Sequence, residues 1–202
     1  MIDQVRLRSA TRADTATIAH LWVDTFPDKF GPILGDKAEP ILYDWLRLSE
    51  SYLSTTTVAE VSGVVGGFIA LKSPSSETPN NGRWFWHALQ LHQSVGQAAW
   101  SFFKMSLLDS RRPVQNDEVY IEMLGVTPSW RGCGLASRLI RHAEDVAQRE
   151  TVKKLSLNVV CDNATAIEVY HKLGFEMKRR MQSPGLTLLT GHQGYYEMVK
   201  YL

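Results

Sequence analysis

The sequence has few cysteines, no excess of either charge and no long apolar run, and each lack excludes a class of protein. Its 202 residues include only Cys133 and Cys161, which are too few and too far apart for a disulfide framework or a zinc site. The 22 basic and 21 acidic side chains leave a net charge of +1, so no overall field attracts nucleic acid or an anionic membrane. No apolar stretch is long enough to cross a bilayer, and the N-terminus lacks the pattern of a signal peptide. We therefore expect a soluble, cytoplasmic protein with reduced thiols and with no nucleic-acid or membrane partner.

The rest of the composition is that of an ordinary globular protein. Hydrophobic residues make up 44% of the chain and charged residues 21%, which argues against a disordered or coiled-coil protein. A length of 202 residues fits one domain, so we expect residues 1–202 to form a single unit. The six histidines show no spacing typical of metal ligands, and we therefore predict no metal site.

Hydrophobic periodicity predicts strands that alternate with helices. The predicted strands are residues 5–8, a hairpin over 55–72, and residues 119–126, 155–160, 185–189 and 195–201. The predicted helices are residues 13–26, 41–46, 83–112 and 135–147, followed by a short helix that begins after Asn163. Gly31 and Gly35 predict a loop between the first two helices.

The aromatic residues between 84 and 103 leave two interpretations open. One is a pair of hydrophobic helices that pack on the sheet, and the other is an aromatic surface dedicated to binding a partner. The periodicity alone does not separate them, so a partner-binding domain centred on this stretch stays among the candidate functions.

Residues 131–137 carry the clearest chemical signal in the chain. Gly132 and Gly134 lack Cβ atoms, so the backbone can curl and approach a ligand closely. The helix predicted to start near Leu135 presents unpaired N–H groups and the positive end of its dipole. Arg131 adds a side-chain donor or a positive field at the rim of the loop. A row of backbone N–H groups suits two adjacent phosphates better than one carboxylate.

Two other phosphate-binding motifs fit this loop poorly. A Walker P-loop needs Gly-Lys-Ser/Thr, and that sequence is absent. A dinucleotide fingerprint needs its glycines directly after a strand, whereas residues 127–131 intervene and Ser137 stands where the third glycine would be. Too little chain follows Asp162, a candidate ribose partner, to build the remaining strands of a dinucleotide domain.

The loop and the segment after it resemble a known family. Arg131-x-x-Gly134-x-Ala136 resembles the Q/R-x-x-G-x-G/A signature of the GNAT superfamily of N-acetyltransferases. Residues 157–159, 163–166 and 170–175 follow in the order of the second conserved region of that family. The first strand and helix also resemble its opening, so the likeness covers nearly the whole chain except a divergent segment at about 73–116.

The resemblance implies a fold, a cofactor and a reaction. The expected fold is α/β (α+β) and GNAT-like, with a mixed, mostly antiparallel central sheet that contains a splayed strand pair and is flanked by helices. The expected function is direct transfer of an acetyl group from acetyl-CoA, as co-substrate, to a primary amine of a small molecule rather than of a protein. Cys133 lies in the phosphate loop and not beside a base, which argues against a covalent thiol intermediate. The alternative is a catalytically silent acyl-CoA-binding sensor or interaction module, and we leave a homodimer open.

The resemblance also implies roles for single residues. Leu124, Gly125 and Val126 offer backbone groups to the pantetheine arm, and the Val126 N–H donates to the thioester carbonyl and the oxyanion that develops from it. Tyr170 is the acid that protonates the departing thiolate, because a phenol stays protonated at neutral pH. From the residues themselves, Gly125 inside a strand is consistent with a bulge that splays the strand from its neighbour.

Glu122 is our candidate for the base that deprotonates the acceptor amine, through a water molecule. Strand parity places Tyr120, Glu122 and Leu124 on one side of the strand, and Glu118 or Asp117 remains an alternative base.

Asn158 and Asn163 have two candidate roles, contact with pantetheine or capping of the following helix. The cofactor-binding residues that we predict are Leu124, Gly125, Val126, Arg131, Gly132, Cys133, Gly134, Leu135, Ala136, Ser137, Asn158, Asn163, Ala166 and Tyr170.

Overall fold

A computed structural model describes residues 5–76, 81–108, 114–182 and 184–202 of the chain. The strands are β1 (Val5–Ser9), β2 (Thr56–Val61), β3 (Val64–Lys72), β4 (Glu118–Val126), β5 (Lys154–Val160), β6 (Glu176–Met181) and β7 (Tyr195–Tyr201). The α-helices are α1 (Thr15–Thr25), α2 (Pro27–Leu34), α3 (Ala38–Leu48), α4 (Glu50–Ser54), α5 (Asn81–His92), α6 (Val95–Leu108), α7 (Leu135–Arg149), α8 (Ala164–Lys172) and α9 (Pro184–Thr190). Short 3-10 turns precede α1, α3 and α7.

The strands form one sheet in the order β1-β2-β3-β4-β5-β7-β6. Neighbouring strands run antiparallel except β4 and β5, which run parallel. These two strands pair only over Glu118–Ile121 and Lys154–Leu157, although β4 continues to Val126 and β5 to Val160. The expected mixed sheet with a splayed central pair is therefore confirmed, and we call the space between the unpaired ends of β4 and β5 the gap.

Each face of the sheet carries its own apolar cluster. On the first face, α1, α2, α3 and α5 pack around buried residues such as Trp22, Leu42 and Phe68. On the second face, α7 covers the sheet with a buried stripe that consists of Leu135, Leu139, Ile140, Ala143 and Ala147. The regular recurrence of apolar residues along α7 explains why the sequence predicts this helix well.

Two local predictions were wrong, and one strand was missed. The loop expected around Gly31 is helix α2, which starts at Pro27 and ends at Leu34, with Gly35 as its C-cap. Residues 185–189, expected as a strand, belong to helix α9. The prediction failed because a short apolar run does not distinguish a strand from a helix. Strand β6 was not predicted, because this exposed edge strand is rich in charged residues and lacks the apolar alternation of a buried strand.

The predicted helical stretch 83–112 forms α5 and α6 over residues 83–108, and residues 109–112 lie outside the described chain. Phe85, Ala88 and Leu89 pack into the first-face cluster, as the interpretation of packed helices requires. Trp100 and Phe103 stack on each other with ring centroids 5.6 Å apart and remain exposed. Within the described ranges, no helix has both the length and the apolar character needed to span a membrane.

Candidate active site

The glycine loop before α7 presents a row of free backbone donors. Gly132 and Gly134 have φ angles of +75° and +81°, in the left-handed region that residues with a side chain rarely adopt. A Cβ atom at either position would meet nothing within 4 Å, so the loop is shaped by its backbone conformation and not by crowding. Among the described residues, the N–H groups of 132–137 have no backbone acceptor, and Arg138 is the first to bond back, to the Gly134 carbonyl at 3.2 Å. Six successive donors beside a helix N-terminus form a site for an anion.

Arg131 connects this loop to two neighbouring elements. Its Nε donates to the carbonyl oxygen of Val126 at 3.1 Å, and its Nη2 lies 3.6 Å from Oδ2 of Asp24. The side chain is about half exposed and carries its positive charge at the rim of the loop. In addition, it holds the end of β4 in place, a role that the sequence pattern did not indicate.

The irregularity in β4 lies at Glu122 and not at Gly125. Met123 pairs with Ala70 and Ile121 pairs with Leu71, which leaves Glu122 as the extra residue of a bulge. Gly125 pairs in regular register with Phe68 on β3. A Cβ atom at Gly125 would lie 2.5 Å from the Phe68 ring and 2.9 Å from Thr25 Oγ1. The absence of a side chain at Gly125 therefore lets Phe68 and Thr25 approach the strand closely. The predicted bulge at Gly125 was wrong.

The bulge reverses the side-chain alternation along β4. Ile121 belongs to the second-face cluster and Met123 to the first-face cluster, whereas Leu124 packs with the second face again. Tyr120 and Glu122 do lie on one side, as parity predicted, but Leu124 does not, because the extra residue shifts the phase by one.

A cavity of about 460 Å³ opens on the first face beside the gap. Its walls come from the end of α1, the start of α2, the end of α6, strands β4 and β5, helix α9 and the loop before β7. The lining residues are Thr25, Phe26, Pro27, Asp28, Lys29, Leu108, Tyr120, Glu122, Met123, Asn158, Val160, Asp162, Asn163, Leu186, Thr190, His192 and Tyr195. Helix α9 packs against both α2 and α6 and lines the cavity with Leu186 and Thr190.

Glu122 faces this cavity but is engaged by a lysine. Nζ of Lys72 lies 2.5 Å from Glu122 Oε1. The hydroxyl of Tyr52 is buried nearby without a hydrogen-bond partner among the described residues. Burial, and then the charge of Glu122, raises the pKa of Tyr52 well above its ordinary value.

The two alternative bases lie elsewhere. Glu118 is fully buried, where one oxygen accepts from the Gln115 N–H and the other from the Ser156 hydroxyl, each at 2.8 Å. Asp117 pairs with Lys154 at 3.0 Å, and the hydrogen bond from this lysine lowers the pKa of Asp117. Neither residue lines the cavity, so of the three predicted carboxylates only Glu122 reaches it.

Tyr170 lies on the opposite face of the sheet from Glu122. It packs, partly buried, in the cluster that also contains Leu124, Val126 and Ala166, with its ring centroid 5.8 Å from that of Phe175. Burial raises the pKa of Tyr170 to about 12, so its hydroxyl keeps its proton throughout the neutral range.

The two predicted asparagines have different surroundings. Oδ1 of Asn163 accepts the Ala166 N–H at 3.1 Å, so this residue caps α8. Asn158 directly follows the last residue of β5 that pairs with β4, and both polar atoms of its side chain are buried without a partner among the described residues. Oγ1 of Thr25, which also lines the cavity, is likewise buried without a hydrogen-bond partner among the described residues. Unsatisfied buried groups of this kind are costly in a protein unless a ligand completes their hydrogen bonds.

A histidine that no sequence motif singled out lies between two carboxylates. Nδ1 of His192 lies 2.7 Å from Asp162 Oδ2, and Nε2 lies 3.5 Å from Asp28 Oδ2. Hydrogen bonds to the end of α9 hold the backbone of His192 on both sides, from Thr187 Oγ1 to its carbonyl and from its N–H to Thr190 Oγ1. The bond from His192 lowers the pKa of Asp162. No local pattern around His192 could have indicated this arrangement, because its partners come from distant parts of the chain.

The site thus has two halves that meet at the gap. The glycine loop, the end of β4 and Tyr170 belong to the second face, Glu122 and the cavity belong to the first, and Asn158 stands at the start of the gap between them. Such an arrangement can bind an anionic, extended molecule through one face and a second molecule through the other.

Residues 15–175 match the model of the acetyltransferase (GNAT) family, so the chain belongs to this family. It is 37% identical over 62 residues to N-alpha-acetyltransferase 30 of Saccharomyces cerevisiae and 40% identical over 60 residues to streptothricin acetyltransferase of Streptomyces lavendulae. These matches cover 31% and 30% of this chain and 35% and 32% of the relatives, so the matched part is about a third of each relative's length.

A solved N-acetyltransferase structure from Staphylococcus aureus Mu50 superposes with a TM-score of 0.69 at 20% identity. The superposition covers 96% of this chain and 99% of that one. At this identity the likeness is one of fold, and it agrees with the expected GNAT-like architecture.

Proposed function

We propose that the protein is an N-acetyltransferase that moves an acetyl group from acetyl-CoA directly to a primary amine of a small molecule. The observation that carries this proposal is the gap between β4 and β5, with a row of free N–H groups at its end and a separate cavity beside it. Membership of an acetyltransferase family supports the same reaction class.

The residues present fit coenzyme A in two respects. The donors of residues 132–137 suit a diphosphate, and the unsatisfied side chain of Asn158 at the start of the gap offers both a donor and an acceptor to an amide-containing arm. Bound there, the thioester would supply the activated acetyl group. The chain would contribute the N–H of Val126 toward the developing oxyanion and the hydroxyl of Tyr170 as the acid.

Two features of the cavity support a small acceptor. Its volume of about 460 Å³ lies in the range typical of small-molecule sites. Helix α9 contacts α2 and α6, and all three helices contribute residues to the cavity walls, so the cavity is a pocket between several elements. The two relatives differ on this point, since the yeast protein is named for N-alpha acetylation and the Streptomyces protein for streptothricin. In either case Glu122, freed from Lys72 or acting through water, is a candidate base.

Calorimetric titration with acetyl-CoA tests the cofactor, and two glycine variants provide a matched pair. Gly134→Ala and Gly63→Ala place a Cβ at φ angles of +81° and +83°, with open space around it, so each should cost about 1–2 kcal/mol of strain. Only Gly134 lies in the donor loop. We expect Gly134→Ala to weaken acetyl-CoA binding at least about fivefold more than Gly63→Ala does.

This titration and an assay of thiol release together separate an enzyme from a chain that only binds acetyl-CoA and from one that does not bind it. Absence of binding by the unmodified chain would exclude the acetyl-CoA proposal. Binding without thiol release, across a panel of small amines and peptides, would instead identify a silent acyl-CoA-binding module.

A further inference from the structure

Among the described residues that line the cavity, His192 is the one imidazole, and its geometry differs from that of a surface histidine. Its side chain is only 19% exposed. Nδ1 contacts Asp162, while Nε2 forms no hydrogen bond within the described ranges and has Asp28 Oδ2 as its carboxylate neighbour at 3.5 Å. A carboxylate on the Nδ1 side selects the tautomer with its proton on Nδ1, which leaves the lone pair on Nε2 available.

Glu122 is less suited to take a proton in this arrangement. The Lys72 ammonium lies 2.5 Å from one of its oxygens, and an ion pair at that distance must be broken or bridged by water before the oxygen can accept another proton. Among the groups of the cavity wall, His192 holds an orienting partner on one nitrogen and leaves the other unbonded.

On the basis of the proposed acetyl transfer, we propose that His192 takes the proton from the acceptor ammonium, with Asp162 orienting its ring and Asp28 binding the ammonium. A carboxylate has no proton to donate, so Asp28 and the lone pair on Nε2 are two acceptors that face each other. An ammonium group placed between them donates to both. The arrangement therefore selects a cationic amine and removes its proton at the same place.

Each proton in the proposed transfer has a source and a destination. The acceptor ammonium gives one proton to Nε2, and the neutral amine then attacks the thioester carbonyl. The nitrogen–carbon bond forms, the carbon–sulfur bond breaks, and the departing sulfur takes the proton of Tyr170. Tyr170 regains a proton from the new amide nitrogen, and the partly exposed His192 releases its own proton to solvent. One proton is released in each turnover.

Other titratable groups face the same cavity and belong in any pH analysis. They are Lys29 on α2, Tyr120 and Glu122 on β4, and Tyr195 on β7. Glu122 is the competing base, so the experiment must treat it in parallel.

The kinetic test compares His192→Gln with Glu122→Gln and with the control His20→Gln. The glutamine amide can still hydrogen bond to Asp162, but it cannot take a proton near neutral pH. His20 also pairs with a carboxylate, that of Glu39 at 3.2 Å, but lies on the outer side of α1. With butylamine, 1,4-diaminobutane and a short peptide as acceptors, we expect kcat to fall about 100-fold in His192→Gln and to be unchanged in His20→Gln, while Glu122→Gln keeps the acidic limb of the pH–rate profile. We also expect this limb to disappear from the profile of His192→Gln while the KM for acetyl-CoA is unchanged.

Asp28→Asn should separate binding from proton transfer. We expect the KM for the acceptor to rise about tenfold, since an ion contact is lost, while the acidic limb of the kcat profile stays. If His192→Gln retains kcat within twofold, or if Glu122→Gln alone removes the acidic limb, the role proposed for His192 is wrong.

A second readout needs no turnover. In the chain labelled with ¹⁵N-histidine, the ring of neutral His192 should carry its proton on Nδ1, and Asp162→Asn should abolish this preference. A neutral ring protonated on Nε2 would overturn the proposal, because the nitrogen that faces Asp28 could not accept a proton. Calorimetry with acetyl-CoA tests the acetyl-transfer function independently, so a failure of one proposal is distinguishable from a failure of the other.

Discussion

Tyr170 shows how much the surroundings of a single side chain matter for its chemistry. In water a tyrosine hydroxyl titrates near pH 10, but burial in the second-face cluster raises the pKa of Tyr170 to about 12. A proton held this firmly is present on the hydroxyl at any pH near neutrality. As an acid, Tyr170 would therefore not itself introduce a limb into the pH–rate profile in the neutral range.

Replacement of Tyr170 by phenylalanine tests this role. The change keeps the ring that packs against Phe175 and removes the proton, so we expect kcat to fall about 100-fold with the dissociation constant of acetyl-CoA within about twofold. Thiol release and calorimetry measure the two quantities.

Tyr196→Phe is the matched control, because Tyr196 is partly buried against the same apolar cluster. An unchanged rate in Tyr170→Phe would remove the acid role. An equal loss in both variants would indicate a packing effect and not proton transfer.

Single residues also show where sequence reasoning succeeds at a site. Gly132 and Gly134 were predicted to let the backbone curl, and both have positive φ angles, a conformation that favours glycine. The bulge was misplaced by three residues, because its position depends on the pairing between β4 and β3, which no pattern within β4 reveals.

At the level of elements, helix α8 carries Tyr170 and begins at a capped N-terminus. The Asn163 side chain satisfies the Ala166 N–H, one of the donors left unpaired at the start of a helix. Asn163 itself is exposed and lines the cavity on the first face, whereas the predicted cofactor contacts of α8 belong to the second face. This geometry favours the capping role over contact with pantetheine.

Asn163→Ala should lower the free energy of unfolding by about 1 kcal/mol, the usual value of an N-cap. Urea denaturation measures the loss, and Asn163→Ser, which keeps a capping oxygen, should recover most of it. A large loss of acetyl-CoA affinity with unchanged unfolding would assign Asn163 to pantetheine instead.

At the level of the whole molecule, α7 holds the donor loop against the sheet partly through a titratable contact. Nε2 of His142 on α7 lies 3.0 Å from Thr57 Oγ1 on β2. Burial lowers the pKa of His142 below its ordinary value, the charge of Arg149 acts in the same direction, and Asp145 opposes them. The unfolded chain therefore binds a proton at this position at a higher pH than the folded chain does.

The protein should become less stable as the pH falls. Between the pKa of unfolded histidine, about 6.5, and the lower pKa of folded His142, only the unfolded state is protonated, so the free energy of unfolding decreases with decreasing pH. We expect His142→Gln to flatten this slope as the pH falls through about 6.5, the pKa of unfolded histidine, measured by urea unfolding. His20→Gln is the control, and an unchanged slope in His142→Gln would contradict the assignment.

The sequence by itself determined the features that depend on neighbours along the chain. The glycine loop and the amphipathic α7 each need only a few consecutive residues, so their signals are local and readable. The order of these segments was also enough to indicate the family. What only the tertiary structure decided are the contacts between distant residues, which include Glu122 with Lys72, Arg131 with Asp24, and His192 with both Asp162 and Asp28. Such pairs arise from the packing of strands and helices, and no periodicity in the chain encodes which side chains will meet.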